Sequence, residues 1–317
     1  MRMRTLRFRQ YGPALDVVNL EDAELPVPGP GQIRVAVQAC GLNPADWALC
    51  NGLFPGTLPR GIGLEASGIV DATGAGVTGV TGVSIGDPVL GPVPFRGPSA
   101  GASDYALLDT WFPRPQGLGP VAAAALPMAV ETAHRGLYWL GVRETVGGVG
   151  LTVLVNGAGT TVGYAAVQIA LRHGARVIAT AGKTYADALR ALGADVTGYG
   201  EGMAERVLDL AGGPVDLALD VAPVSNSLPE VVRTVDKPQD ALTLSDFAAA
   251  RELGVRFQFG EDARREHNYV LGEYAQLAAE GTFAVPVART FPLEDWRAAA
   301  ELSLSVRAGG KLVLQLA

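Results

Sequence analysis

The sequence predicts an α/β protein in which a strand-rich, turn-rich region surrounds a doubly wound parallel-sheet domain. Three observations predict it. The first 115 or so residues are short apolar runs separated by glycine and proline. From about residue 121, alanine-rich helical segments alternate with short strands, the pattern of right-handed βαβ crossovers. The last 30 or so residues return to the strand style and end in KLVLQL. One domain is therefore expected inside the other, with residues 1–120 and 284–317 forming the first and 121–283 the second.

Composition agrees. A chain of 317 residues favours two domains. With 48% apolar and 18% charged residues, disorder is excluded. A net charge of -7, from 25 Lys+Arg against 32 Asp+Glu, argues against a nucleic-acid partner. The 41 glycines point to tight turns and close backbone approaches. Two cysteines, Cys40 and Cys50, offer no disulfide framework and fit a reducing compartment. The basic start MRMRTLRFRQYG lacks a following apolar segment. The longest apolar stretch, VAAAALPMAV at 121–130, is too short to span a bilayer. A cytoplasmic protein with no membrane partner is expected.

In order along the chain, Ile33–Val37, the GIVDATGAGV segment and PVLGPVPF at 88–95 read as strands between turns. LTVLV at 151–155 is a continuous apolar run, as in a strand buried on both faces. RVIAT at 176–180 is the second such strand, followed by a helix through Leu192. A helix near 202–211, VDLALD at 215–220, a helix near 226–234, ALTL at 241–244 and VRFQF at 255–259 continue the alternation.

The segment LTVLVNGAGTTVGYAAVQIALRH at 151–173 carries the clearest chemistry. A phosphate needs backbone N–H groups at a helix N-terminus and no side chain in its way. Gly157 and Gly159 supply the turn, and Gly163 is expected to let the helix pack closely on the strand. Asn156, Thr160, Thr161 and Val162 complete the loop, and Thr180 ends the second strand. A tight turn without a ligand is the alternative. No acid occurs from Ala175 to Ala186, whereas Lys183 follows the strand. That favours NADPH over NADH, because an Asp or Glu there would bind the ribose 2′-hydroxyl.

Five segments then carry a family resemblance: CGLNPADW at 40–47, GLEASGIV at 63–70 with VSIGDPVLG at 83–91, AAALPMAVETAHRGL at 123–137, VLVNGAGTTVG through LRALGAD at 153–195, and GGKLVL at 309–314. Together they resemble the zinc-independent medium-chain dehydrogenases/reductases, in the zeta-crystallin-like quinone oxidoreductase and enoyl reductase branch. The resemblance implies a GroES-like catalytic domain built from both termini, an inserted Rossmann domain, and a substrate cleft where they meet. It also implies NADPH as cofactor, a conjugated carbonyl or quinone as substrate, and a homodimer joined at Rossmann sheet edges, with 255–259 as the edge strand. It places Asn43 and Asp46 in the cleft, Thr132 near the nicotinamide and Tyr199 beside the 2′-phosphate. The sequence Asn43-Pro44 with Asp46 also reads as a helix start, with a cap, a first-turn proline and an acid favoured by the helix dipole.

In zinc-dependent relatives a cysteine would stand at Asn43 and a histidine at Leu64, so no metal is expected. His134, His173 and His267 read as isolated structural residues. Trp47, Phe54, Phe95, Phe247 and Tyr105 could form an aromatic pocket for a flat substrate, or pack in the core.

Four departures from the family bear on function. Phe54 stands in the region where enoyl-thioester reductases carry a proton-donating tyrosine, which leaves Tyr105, another hydroxyl or solvent as donor. Thr160 and Thr161 replace small residues of the loop; their hydroxyls could bond phosphate while their β-branches narrow its approach. Lys183 comes early, with Tyr185 nearer the usual lysine position. DKPQDALTLSDF at 236–247 lacks a glycine-flanked strand entry. These motivate a non-redox cyclase, isomerase or dehydratase on the same fold as the alternative function, with a noncatalytic NADPH-binding protein as a third.

Overall fold

A computed structural model of the chain describes residues 2–77, 82–143, 150–257 and 267–316. Two compact units result, Met1–Met128 with Val270–Ala317, and Ala129–Tyr269. The change of texture along the sequence predicts joints at 120/121 and 283/284; the helices at 120–124 and 271–279 pack on strands of the first unit.

That unit begins with β1 (Arg2–Phe8), α1 (Ala14–Val17), β2 (Val18–Glu24), β3 (Ile33–Leu42), α2 (Pro44–Cys50), β4 (Arg60–Gly61), β5 (Glu65–Thr73), β6 (Pro88–Pro92), β7 (Tyr105–Leu108), β8 (Phe112–Pro113) and α3 (Pro120–Ala124). After α4 (Leu126–Leu140), the inserted unit runs β9 (Thr152–Asn156), α5 (Thr161–Arg172), β10 (Arg176–Thr180), α6 (Lys183–Ala191), β11 (Asp195–Thr197), α7 (Met203–Ala211), β12 (Leu217–Asp220), α8 (Leu228–Val232), β13 (Ala241–Thr243), α9 (Phe247–Leu253) and β14 (Arg256–Phe257). The chain returns through α10 (Leu271–Ala279), β15 (Val287–Pro292), α11 (Trp296–Leu304) and β16 (Lys311–Gln315). Helix α3 packs on β3 and β5, and α10 on β8. No helix among the described residues is long and apolar enough to cross a membrane.

In the strand-rich unit, β3 is the hub. Its first half alternates buried and half-buried residues, while Ala39 to Leu42 are all buried, the difference between a strand with one covered face and one with two. It pairs antiparallel with β5, β7 and β16. Register places Glu65 opposite Gly41. The β16 ladder pairs Leu312 with Leu42, so Lys311 falls opposite Asn43, just past the strand end. The apolar core beside this hub includes Trp47, Leu64, Phe95 and Trp296.

The inserted unit holds a six-stranded parallel sheet ordered β11-β10-β9-β12-β13-β14. Val153, Leu154 and Val155 are fully buried, as a central strand covered on both faces requires. Strand order reverses between β9 and β12, which opens a crevice beyond their carboxyl ends, where such sheets take ligands. Of the strand predicted at 255–259, Arg256–Phe257 form β14 at the end of the sheet; residues 258 and 259 lie outside the described residues.

The three histidines are not isolated, contrary to the sequence expectation. His134 on α4, His173 at the C-cap of α5 and His267 all come together, with the His134 ring centroid 5.3 Å from His267 and 6.3 Å from His173. The Nδ1 atoms of His134 and His267 are 3.3 Å apart. Residues spread over 133 positions gave no local spacing to announce this cluster. Burial, with the charges of the other two rings second, pushes the His134 imidazole down to about 4. Among the described residues, no group of three or more His, Cys, Asp or Glu side chains is arranged to hold a metal ion.

Candidate functional site

In the inserted unit the candidate site grows from the end of β9. Gly157 adopts φ +85°, and a β-carbon there would stand 2.5 Å from the Ala222 nitrogen. A β-carbon on Gly163 would collide with the Gly157 carbonyl and Ala158. Both glycines therefore have structural reasons. Gly163 fits the helix against the loop rather than against the strand, a refinement of the sequence reading. Gly159 differs: its φ is not positive, and a β-carbon would meet only the Tyr185 ring, at an ordinary 3.7 Å. Its backbone has no conformational need for glycine.

Thr160 caps α5. Its Oγ1 accepts from the Gly163 N–H at 3.0 Å and donates to the Gly157 carbonyl at 2.8 Å. The hydroxyl is turned back into the loop and takes up the cap, where the sequence expectation has it bonding phosphate. The N–H groups of Gly159, Thr161 and Val162 have no acceptor among the described residues. They lie at the N-terminus of a 12-residue helix, the electrostatic setting that binds a phosphate.

Behind the loop, polar side chains cross the carboxyl ends of four neighbouring strands. The Gly157 N–H donates to Thr180 Oγ1 at 3.0 Å, and Thr180 donates to Asn156 Oδ1 at 2.7 Å. Asn156 donates to Asp220 Oδ1 at 2.8 Å, and Thr243 donates to Asp220 Oδ2 at 2.7 Å. Burial pushes the Asp220 carboxyl up, while Thr243 and Asn156 pull the other way. Sequence reading placed Asn156 and Thr180 here but missed Asp220 and Thr243. The signal was available: both are polar residues ending otherwise apolar strands.

Lys183 is exposed at the first position of α6. The Tyr199 ring edge and hydroxyl stand 3.5 and 3.6 Å from where a β-carbon on Gly182 would be. Lys183 and Tyr199 are thus brought to the same end of β10. Thr132, half-buried on α4, donates to Glu131 Oε2 at 3.2 Å beside the Glu131–Arg135 ion pair. Phe247 packs on Phe257, ring centroids 5.9 Å apart. A cavity of about 450 Å³, lined by Trp139, Leu242, Val255, Arg256 and Phe257, lies at the sheet edge and contains none of the loop residues.

In the strand-rich unit, Asn43 and Asp46 sit at the start of α2. Asp46 accepts from the Asn43 N–H through Oδ2 and from the Gly63 N–H through Oδ1, both at 2.8 Å. Burial pushes the Asp46 carboxyl up to about 6 against the pull of these two donors. Fully buried, Asp46 is a structural anchor for the helix start. The Asn43 side chain does something else. Its Oδ1 accepts from Lys311 Nζ at 2.6 Å, and its Nδ2 donates to Glu65 Oε1 at 2.8 Å.

Lys311 and Glu65 form a buried ion pair. Glu65 Oε2 also accepts the Met128 N–H, in the first turn of α4, at 2.8 Å. Space for this carboxylate depends on Gly41, where a β-carbon would stand 2.5 Å from Glu65 Oε1 and from the Ala124 carbonyl oxygen. Sequence reading missed Glu65 and Lys311 as site residues. Each lies within a motif, Glu65 in GLEASGIV and Lys311 in GGKLVL, but the ladder register is what brings them together.

The other predicted residues are dispersed. Trp47 is core rather than pocket wall, buried with its Nε1 donating to Ser303 Oγ at 2.8 Å. Tyr105 pairs with Ala36 on β3, seven residues before Asn43 and thus roughly 20 Å away along the strand. That register separates it from Asn43, and its ring carries the Arg34 guanidinium at 5.6 Å. Phe54 adopts φ 53° and packs on Phe95 at 5.8 Å. Arg60, buried, donates to the Phe54 carbonyl at 2.6 Å and the Phe95 carbonyl at 3.1 Å. Tyr11, not singled out from sequence, exchanges hydrogen bonds with Gly56, donating to its carbonyl at 2.9 Å and accepting its N–H at 2.7 Å.

Comparison with known proteins matches residues 29–119 to the alcohol dehydrogenase GroES-like domain and residues 157–314 to the zinc-binding dehydrogenase family. Erythronolide synthase EryA2 of Saccharopolyspora erythraea is 35% identical over 273 residues, 83% of this chain and 7% of that protein. The quinone oxidoreductase of Rattus norvegicus is 34% identical over 185 residues, 57% of this chain and 53% of that protein. The solved quinone oxidoreductase of Coxiella burnetii superposes over 100% of both chains, with a TM-score of 0.81 and 27% identity. This chain thus spans a small fraction of the erythronolide synthase and about half of the rat enzyme.

Proposed function

This chain belongs to the medium-chain dehydrogenase/reductase family, with quinone oxidoreductases among its relatives, and we propose that it is a metal-free, NADPH-dependent reductase of a quinone, enone or other α,β-unsaturated carbonyl. Gly159 is the observation that carries the cofactor reading. It lacks a side chain where neither backbone conformation nor packing demands it, and it adjoins backbone N–H donors with no acceptor among the described residues. A dinucleotide's pyrophosphate gives both facts one explanation.

When bound, the nicotinamide supplies a hydride to the β-carbon of the acceptor. The chain's own residues bind and orient. Gly159, Thr161 and Val162 offer N–H donors to the pyrophosphate. Lys183, with Tyr199 nearby, offers a cation to the 2′-phosphate, which is why NADPH is preferred over NADH. The chain from Thr180 through Asn156 to Asp220 holds the Gly157 turn rigid from behind. Asn43 is the proposed donor to the oxyanion that develops on the substrate. Because Lys311 takes its oxygen, its NH₂ orientation is set, and one amide hydrogen remains after the bond to Glu65.

Zinc does not fit these residues. Leu64 has no donor atom, and a cation at Asn43 Oδ1 would meet the Lys311 ammonium already there. The Thr160 geometry also removes one motive for a non-redox activity, since its hydroxyl points into the helix cap rather than across the phosphate path. A cytoplasmic homodimer, paired at the sheet edge formed by β14, belongs to the same proposal.

Titration with NADPH and NADH, followed by nicotinamide fluorescence and thermal stability together, tests the cofactor reading. Micromolar NADPH binding, weaker for NADH, is expected; binding of neither would hand the lead to the cyclase, isomerase or dehydratase alternative. Turnover of a model quinone or enone then tests the reaction. Asn43→Ala should lower kcat beyond any loss of folded protein. Unchanged activity per folded molecule would return Asn43 to a purely structural role.

A further inference from the structure

The glycine loop of the inserted unit has an aromatic wall that belongs to another element. Tyr185, the third residue of α6, places its Cδ2 3.7 Å from where a β-carbon on Gly159 would stand. The ring also packs edge-on to Tyr164 of α5, with centroids 5.6 Å apart and planes at 63°. A β-carbon would still fit at 159, but the ring closes off one side of the space opened there. A phosphate group, bulkier than a β-carbon, that used Gly159 to approach the backbone would press against that ring.

We infer that Tyr185 sets the dinucleotide affinity of this chain by covering Gly159, so that its ring must swing off Tyr164 before a pyrophosphate can settle on the loop. This rests on the proposed dinucleotide site and deepens it. The apparent dissociation constant is then the intrinsic one divided by the fraction of molecules with the ring turned away. An aromatic edge contact of this kind biases the closed arrangement by a factor of roughly two to ten. The ring is half-buried and is already in contact with Tyr164, which favours the covered state in the absence of ligand. The backbone of α6 need not move, because the tyrosine rotates about its own side-chain bonds.

The test uses the whole chain with wild-type Tyr185, Tyr185→Ala and Tyr185→Phe, titrated with NADPH and with ADP, which carries a pyrophosphate but no nicotinamide. Nicotinamide fluorescence reports the first ligand, and thermal stability reports both. Tyr185→Ala is expected to bind both ligands roughly twofold to tenfold more tightly. Tyr185→Phe keeps the ring and should stay closer to wild type than the ring-less variants do. Alanine suits the first turn of this helix; Tyr185→Gln, a longer side chain without a ring, repeats the test independently and should also bind more tightly. Equal or weaker binding by the ring-less variants, with wild type still binding NADPH, overturns the role of Tyr185 and leaves the dinucleotide site standing. No binding by wild type or by any variant overturns the site and the inference together.

Discussion

Lys311 Nζ donates to Asn43 Oδ1 at 2.6 Å, joining residues 268 positions apart in the chain. The same ammonium group pairs with Glu65, and both charged side chains are buried. A buried pair of this kind stabilises little by itself, but an unmatched member costs heavily. Lys311→Met should therefore destabilise the strand-rich unit by about 3–5 kcal/mol, with most of that recovered in Glu65→Gln/Lys311→Met. Denaturant unfolding of the two variants checks this. A double variant as unstable as the single one would show that the pair is not the relevant unit.

The three loop glycines should separate by their reasons for being glycine. Gly157→Ala and Gly163→Ala meet backbone atoms and are expected to lose about 1–3 kcal/mol each. Gly159→Ala meets only a side chain at van der Waals distance, so its stability should stay within about 0.5 kcal/mol of wild type while NADPH binding weakens sharply. Thermal unfolding and ligand titration on the same samples decide it. Unchanged NADPH binding by Gly159→Ala would remove the main support for the dinucleotide site.

Thr160→Ala removes the hydroxyl that caps α5. The expected cost is about 1 kcal/mol of stability, with NADPH affinity little changed because the hydroxyl is turned away from the ligand path. A large loss of affinity at unchanged stability would mean that Thr160 contacts the phosphate after all.

Lys183→Glu reverses an exposed charge at the start of α6. NADPH should bind roughly tenfold more weakly and NADH much less so. The difference should shrink as salt is raised, because the charge is screened. Equal losses for both dinucleotides would take Lys183 out of the 2′-phosphate site.

The histidine cluster predicts a pH dependence of stability. The His134 imidazole is pushed from 6.5 down to about 4 in the folded chain, by burial first and then by His267 and His173. Between those values the unfolded chain binds the proton that the folded chain refuses. Stability should thus fall as pH drops from about 6.5 towards 4. His134→Gln should flatten that part of the profile, measured by denaturant midpoint against pH. A variant profile parallel to wild type would assign the acid sensitivity elsewhere.

The fold was legible because it rests on local patterns. LTVLV and the helical spacing after it are properties of adjacent residues, and they fix a buried strand and a helix wherever the rest of the chain goes. The glycine loop, Lys183 and the insertion of one domain in the other could all be read this way. Histidines at 134, 173 and 267, by contrast, looked isolated because no local spacing links them. Tyr105 looked available to Asn43 until the β3–β7 register placed it beside Ala36.

The sequence by itself determined the class of the protein and the place of its glycine loop, since hydrophobic period and glycine spacing act over a few residues. Tertiary structure alone decided that Asn43 is gripped by Glu65 and Lys311, that Thr160 is spent on a helix cap, and that Tyr185 lies over Gly159. Those facts depend on strand register and on which helix face meets which loop. Such pairings bring distant residues within 3 or 4 Å, a range at which no spacing along the chain can name the partner.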